Sequence, residues 1–344
     1  MSNRTTEFTA QRLLQILDAL PRVNAYVVGF SGGADSTALL HALSVIHPQL
    51  DVPLSAVHIN HGLHGDAALW QSHCERFCER YQVPLTSLEI NPDNSAGKGL
   101  EAAARHLRYA AIEGQVTDGT GLLTAHHADD QAETLLLNLM RGSGVDGLAA
   151  MPDSRPFGHG LLQRPLLEFQ GSALRDYLCT HNVEWVEDPS NQHTGHDRNF
   201  VRHEVIPLLE THWPEVSKRL LLTRRAMSGA RYLLEGLADA YLALHLAHPQ
   251  VLQITPQART DPELFKLIVR RWFKTAGMPS MPFYRLESLL TQVCQAHAGH
   301  QVSVEWGDCV LHCYRQQLWL LPDGELPACQ AREWPADKSG VELG

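Results

Sequence analysis

The chain of 344 residues carries 28 Lys+Arg against 38 Asp+Glu, with 20 His and 7 Cys, for a formal net charge of −10. At 44% hydrophobic and 19% charged residues the composition is that of a globular protein, long enough for two or three domains with a core that needs neither disulfides nor metal. No apolar run approaches ~18 residues, the opening MSNRTTEFTAQRLLQIL lacks a signal peptide's apolar core, and the odd, scattered cysteines fit reduced thiols; membrane, secreted and collagen-like classes are excluded and a cytoplasmic protein is expected.

In chain order, AYVVGF (25–30), LSAVHI (54–59), LTSLEI (85–90) and GLLTAH (121–126) read as strands. TALLHALSVI, DAALWQSHCERFCERY, LEAAARHLRYAAIEGQV and a stretch at 130–141 read as the helices between and after them. This βαβαβαβα order predicts an α/β fold: a Rossmann-like, mostly parallel sheet with helices on both faces and functional loops beyond the carboxyl ends of the strands. Next come a looser LLQRPLLEF, a helix over GSALRDYLCTHN and a turn-rich EDPSNQHTGHDRNF. Residues 201–247 read as mostly helical, broken near Trp213-Pro214, with more helix at 261–276 and 282–297. QVSVEW and VLHCYRQQLWLL read as hairpin strands before a polar tail. The expected division is 1–212, a smaller mostly helical 213–321, and a tail at 322–344.

Strand AYVVGF runs into Ser31-Gly32-Gly33-Ala34-Asp35-Ser36 and then a helix. Adjacent glycines permit close backbone approach, a helix N-terminus offers free N–H groups, and hydroxyls add donors: a phosphate cradle, without the lysine of the GxxxxGK[ST] loop. A plain strand–helix turn capped by Ser or Asp is the competing explanation; the full six-residue string in a parallel-sheet context favours the cradle.

SGGADS resembles the SGGxDS signature of the PP-loop ATP pyrophosphatases, which cleave ATP between the α and β phosphates and adenylylate a substrate oxygen. HINHGLHGDA (58–67), GLEAAARHLRY (99–109), TAHHADDQAETLLLNLMRGSGVDGLAAM (124–151) and DPSN followed by RNFVRHEVIPLL (188–209) narrow the resemblance to the tRNA(Ile)-lysidine synthetase family. It covers about residues 25–210, and the helical region that follows is also similar. The resemblance implies ATP as substrate with Mg²⁺, and ligation of free L-lysine to C2 of the wobble cytidine of tRNA(Ile) with a CAU anticodon. AMP and pyrophosphate are released, and codon reading changes from AUG to AUA. It puts ATP on Ser31, Gly32, Gly33, Ala34, Asp35 and Ser36, with Asp35 also a metal ligand. Arg105, Asp129, Asp130 and Glu133 join Asp35 as catalytic candidates; His126, Arg198 and Arg202 complete the substrate-binding set.

Simpler explanations stand beside each assignment. At the helix after the fourth strand, Ala132, Leu135, Leu136, Leu139 and Met140 should face the core, and Asp130 with Glu133 makes a capping-box-like pair. Glu101 and Arg105 suit a surface i,i+4 ion pair. His58, His61, His64 and Asp66 form an HxxHxxHxD run too compact to converge easily on one tetrahedral zinc. Cys74/Cys78 and Cys309/Cys313 read as structural thiols. RGSGVDGLAAM is either a flexible connection or, by resemblance, a loop over the substrate.

Charge is uneven: residues 201–280 hold 11 Lys+Arg against 7 acids, while residues 1–200 hold 13 against 23. The middle, with Arg219, Arg224, Arg225, Arg231, Arg270 and Arg271, is the expected tRNA-backbone face, helical spacing setting Lys218 and Arg225 to one side while Leu220, Leu221 and Leu222 pack inward. Rival readings are a PP-loop tRNA 2-thiolation enzyme, which needs cysteines near the loop, a metal-dependent phosphohydrolase using the His/Asp clusters, and an inactive RNA-binding module. Many family members carry a further C-terminal domain, whereas 64 residues follow position 280 here, so a short form or a reduced tRNA grip is expected. A homodimer is compatible with the sequence.

Overall fold

The computed structural model describes residues 7–60, 65, 67–90, 107, 110–187, 197–279, 281–295, 302–306, 309–314 and 316–322. The chain divides into two compact units, Met1–Arg231 and Tyr232–Gly344.

In the first unit, α1 (Ala10–Ala19) precedes β1 (Ala25–Gly29), α2 (Ala34–Ile46), β2 (Leu54–Asn60), α3 (Ala67–Arg80), β3 (Leu85–Glu89) and β4 (Thr120–Leu123). Then come α4 (Ala128–Met140), the short α5 (Val145–Leu148), β5 (Ser154–Phe157), β6 (Gly160–Gln163) and α6 (Gly171–Thr180). α7 (Asp197–Phe200), a π-helical turn at Val201–Val205 and α8 (Ile206–His212) run into one another, and α9 (Val216–His245) contains the division between the units.

The sheet order is β3-β2-β1-β4-β6-β5, and every pair is parallel except the β5–β6 hairpin. That hairpin lies in a stretch the sequence left irregular; its strands have four residues each, and Pro156 blurs their alternation. The turn-rich reading of 197–200 is likewise corrected to helix, while EDPSNQHTG falls largely outside the described residues. Both sheet faces are covered. Phe8, Leu39, Leu40, Leu43, Phe30 and Phe169 build the core on one side; Val57, Ile112, Val116, Leu122, Phe157 and Leu162 build that on the other. Each such fully buried side chain contributes about 1.5–3 kcal/mol.

β1 lies between β2, with Gly29 opposite Val57, and β4, with Val28 opposite Leu123. From β1 the chain crosses to β2 and β3 on one side, then returns to β4 on the other. The loops after β1 and β4 therefore leave neighbouring carboxyl ends in opposite directions and open a crevice.

The second unit packs α10 (Pro256–Thr260), α11 (Pro262–Thr275) and α12 (Phe283–Gln295) with a five-stranded antiparallel sheet. The sheet order is β7 (Leu246–His248), β8 (Val251–Gln253), β11 (Gln317–Pro322), β10 (Cys309–Tyr314), β9 (Val302–Trp306). Trp272, Phe265, Phe273, Leu252, Leu286 and Leu318 fill its core. Of the expected hairpin strands, QVSVEW is β9 and VLHCYRQQLWLL divides into β10 and β11, all within a larger sheet whose three-residue strands β7 and β8 are too short to show a period. No helix among the described residues is long and apolar enough to cross a membrane.

Candidate active site

The loop after β1 is fixed by its own hydroxyls. Ser31 Oγ lies 3.0 Å from Ser36 Oγ and accepts the Gly33 N–H at 3.3 Å; Ser36 Oγ donates to Gly33 O at 3.0 Å, and Thr37 Oγ1 to Gly32 O at 3.2 Å. Gly33 caps α2 without a side-chain bond, leaving the first-turn N–H groups to an anion. Gly32 takes φ +83°, and a Cβ there would meet Cys74 Sγ at 3.0 Å. A cysteine remote in sequence therefore sits against the loop. Burial pushes both Cys74 and Cys78 up to about 12, so each is a neutral, inert thiol.

Across the crevice, β4 is followed by Thr124-Ala125-His126-His127, and α4 begins at Ala128. His127, not Asp130 with Glu133, forms the capping box: its backbone N–H donates to Asp130 Oδ2 at 2.9 Å, and its Nδ1 faces the Asp129 N–H at 3.3 Å. Its ring is the hub of the site. Nε2 lies 3.4 Å from Asp35 Oδ2 and 3.5 Å from Asp130 Oδ2, and Nδ1 lies 3.6 Å from Asp129 Oδ2. Burial alone would depress its pKa, but the hydrogen bond to Asp35 and the charges of Asp130, Asp35 and Asp129 outweigh burial and raise it to about 9. The raised pKa favours the protonated ring at neutral pH, in which Nδ1–H faces the Asp129 carboxylate at 3.6 Å and no longer accepts the Asp129 N–H.

The carboxylates fall into two classes. Asp130 and Glu133, expected to point away from the core, have side chains only 10% and 1% exposed and are held by two arginines. Arg198 and Arg202 each donate Nε–H to Glu133, at 2.7 and 2.6 Å, and Nη2–H to Asp130, at 2.8 and 2.9 Å. Burial opposes ionisation of Asp130, yet His127 and Arg198 hold its pKa below the usual carboxylate value. Asp35 and Asp129 stay open, at 36% and 41% side-chain exposure. Asp129 Oδ2 accepts the Gly171 N–H at 3.0 Å, and any Cβ at Gly171 would crowd that oxygen at 3.2 Å. Asp35 Oδ1 is buried with no hydrogen-bond partner among the described residues, which fits a carboxylate oxygen kept for a cation. His126 is half-buried, its Nδ1 2.9 Å from Thr124 Oγ1.

The structure thus brings together Asp35, Asp129, Asp130, Glu133, Arg198 and Arg202. Arg105, Glu101, His61, His64 and Asp66 lie outside the described residues. His58 is buried with Nδ1 2.9 Å from Phe30 O, and burial lowers its pKa. Leu139 and Met140, expected inside, are exposed, as is Leu222. Sequence reasoning missed the hub role of His127, whose signal was a histidine directly before an acidic helix start. It also missed Gln131, a buried amide that clasps the Met151 backbone through bonds of 2.8 and 2.9 Å and pins the loop after α5. In the basic middle, Arg225 pairs with Glu168 at 3.0 Å, Arg271 with Asp239 at 2.6 Å, and Arg224 reaches Met151 O at 3.4 Å.

Comparison with known proteins decides among the readings. The PP-loop domain family matches residues 5–209, and the TilS substrate binding domain matches residues 252–319. A tRNA(Ile)-lysidine synthase of Alkalilimnicola ehrlichii is 41% identical over 332 residues, 96% of this chain and 74% of that protein. The chain belongs to the tRNA(Ile)-lysidine synthase family. Further tRNA(Ile)-lysidine synthases, from Methylococcus capsulatus and Xanthomonas campestris, are 36% and 37% identical, covering 92% and 91% of this chain and 74% and 72% of theirs. Among solved structures, a U34-tRNA thiolase of Methanococcus maripaludis with its [4Fe–4S] cluster aligns with TM-score 0.51 at 18% identity, over 64% of this chain and 78% of that one. It shares the fold alone. In this chain, the lysine-free glycine loop and the histidine-centred acidic cluster both lie within the residues that match the PP-loop domain.

Proposed function

We propose that this protein joins free lysine to C2 of the wobble cytidine of tRNA(Ile) with a CAU anticodon, using ATP. The observation that carries the reading is the meeting, between β1 and β4, of a phosphate loop without a P-loop lysine and an acidic cluster around a histidine cation. Its relatives bear the name of that activity. Ser31 to Ser36 hold the phosphates while the cytidine C2 oxygen attacks the α-phosphorus and pyrophosphate leaves. The lysine amine then bonds to C2, the C2–O bond breaks, and AMP departs. Asp129, open to solvent and oriented by Gly171, suits the proton shed by the amine. Asp35 would hold Mg²⁺, which would supply positive charge to neutralise the leaving pyrophosphate. Arg105 is assigned to phosphate neutralisation, and Asp130 and Glu133 to the substrate cation. The domain limits proposed for these roles are 1–212 for catalysis and 213–321 for tRNA contact, acting in the cytoplasm.

The thiolation alternative asks for a reactive thiol, whereas Cys74 beside the loop and its neighbour Cys78 are buried, and burial pushes both thiols up to about 12. Incubation with labelled lysine, ATP and unmodified tRNA, followed by nucleoside analysis, tests the reading. Label should appear in one modified cytidine with AMP and pyrophosphate as co-products. ADP and orthophosphate as the tRNA-dependent products would sink it.

A further inference from the structure

The receptor assigned to the substrate cation is already filled. Asp130 Oδ1 accepts from Arg198 at 2.8 Å and Arg202 at 2.9 Å; Glu133 accepts from Arg198 at 2.7 Å and from Arg202 at 2.6 and 3.1 Å. With Glu133 sealed at 1% exposure, no further cation reaches these oxygens unless a guanidinium leaves. The arginines themselves are 32% and 35% exposed, so their solvent side is open to movement. Arg202 also sits in the π-helical turn Val201–Val205, an irregularity that α-helices tolerate mostly at working sites. Asp35, on the phosphate loop, and Asp130 meet on the same nitrogen of His127, at 3.4 and 3.5 Å, so the guanidinium groups on Asp130 lie close to whatever the loop binds.

We propose that Arg198 and Arg202 are internal stand-ins for the amine, drawn off Asp130 and Glu133 by the phosphates of ATP, so that nucleotide prepares the receptor for the cationic substrate. The inference rests on the lysine-ligase reading of the same site. A guanidinium fork matches phosphate as well as carboxylate, so it exchanges one bidentate partner for another. The carboxylates uncovered in this exchange, of which Asp130 keeps His127 Nε2 at 3.5 Å, then draw in the ammonium. Without nucleotide, the ammonium would have to expel a guanidinium with no anion to receive it, the step that buried ion pairs resist most. Arg198 and Arg202 are in this scheme positioning residues that enforce an order of binding.

Calorimetric titration of lysine into the full chain, with and without Mg²⁺ and α,β-methylene ATP, tests this. Lysine should bind at least about tenfold more tightly with the nucleotide, within the usual range of site–site coupling, and lysine should tighten the nucleotide by the same factor. Arg202→Gln should raise lysine affinity in the nucleotide-free protein and shrink the coupling. Arg202→Lys, which keeps the charge and loses the fork, should shift it the same way if the Gln variant does not fold. Equal lysine affinity in both conditions, or none detectable in either, in a preparation that makes lysidine, overturns the inference. A folded preparation that incorporates no lysine with ATP and tRNA overturns the ligase reading instead.

Discussion

Glu133→Ala separates a structural carboxylate from an open one. In the native chain its two oxygens accept N–H groups at 2.6, 2.7 and 3.1 Å from two arginines, and its side chain is 1% exposed. Removing one partner of a buried pair costs about 3–5 kcal/mol when the other is stranded. Here the stranded arginines are a third exposed and keep Asp130, so water and the remaining carboxylate recover part of that loss, leaving roughly 2–3 kcal/mol. For a unit of this size each kcal/mol moves the midpoint by about 2–4 °C, so the transition of the first unit should fall by about 4–12 °C. Differential scanning calorimetry of wild type and variant at pH 7.5 measures it. Asp129→Asn, altering a carboxylate 41% open to solvent, is the control and should shift the midpoint by less than about 2 °C while lysine incorporation falls at least about tenfold. A Glu133→Ala midpoint within 1 °C of wild type would refute the claim that this ion cluster holds α7 and its π-helical turn against α4.

Replacing Cys74 and Cys78 together with Ala should leave most lysine incorporation, and both native thiols should resist alkylation at pH 8; loss of turnover in a folded double variant would revive sulfur chemistry. Gly32→Ala places a methyl 3.0 Å from Cys74 Sγ at φ +83°, so nucleotide affinity should fall by about tenfold or more in equilibrium dialysis, and an unchanged affinity would contradict the loop geometry. The raised pKa of His127 means its proton stabilises the fold fully below about pH 6.5 and ceases to do so as pH rises through about 9. The stability difference between wild type and His127→Gln should therefore shrink between pH 7 and pH 10, by up to roughly 3 kcal/mol, and a difference constant over that range would show that the ring is not a cation in the fold.

Much of this was legible in the sequence because parallel sheets announce themselves. The runs at 25–30, 54–59 and 85–90 are continuous enough in Val, Leu and Ile to mark strands, and the loop SGGADS falls where such a strand must hand over to a helix. Strands of three or four residues, β5 to β8, carry less than two periods and left no signal. On α4, Leu139 and Met140 continue the apolar spacing of Leu135 and Leu136, but these last two residues of the helix are exposed. Asp130 and Glu133 are the reverse case. Acidic residues at a helix start read as solvated caps; His127 partners Asp130 locally, but the guanidinium groups that make burial of the pair affordable come from 65 or more residues away in sequence. Nothing local announces that partner. RNFVR carries two arginines four apart, a spacing that fits an RNA-facing surface as well as a clamp.

The same charges explain why the acidic cluster stands beside an anion-binding loop without spoiling it. Asp35, Asp129, Asp130 and Glu133 face the cations of His127, Arg198 and Arg202, so the described part of the crevice carries one net negative charge rather than four. A loop proposed to hold triphosphate can tolerate that small excess, whereas four bare carboxylates would repel it. The excess also sits on the exposed side, at Asp35 and Asp129, where a divalent ion or an amine can meet it together with the phosphates. Sealing Asp130 and Glu133 under guanidinium groups therefore holds α7 and its π-helical turn in place and, on the binding order proposed above, hides negative charge from ATP until the nucleotide is seated. If that is the purpose of the clamp, Arg198→Ala should weaken nucleotide binding more than the loss of one phosphate contact would, because it uncovers a carboxylate as well. The distinguishing readout is salt: uncovered repulsion is screened, so added salt should narrow the gap to wild type, while a gap that stays constant or widens with salt would leave the clamp a purely mechanical role.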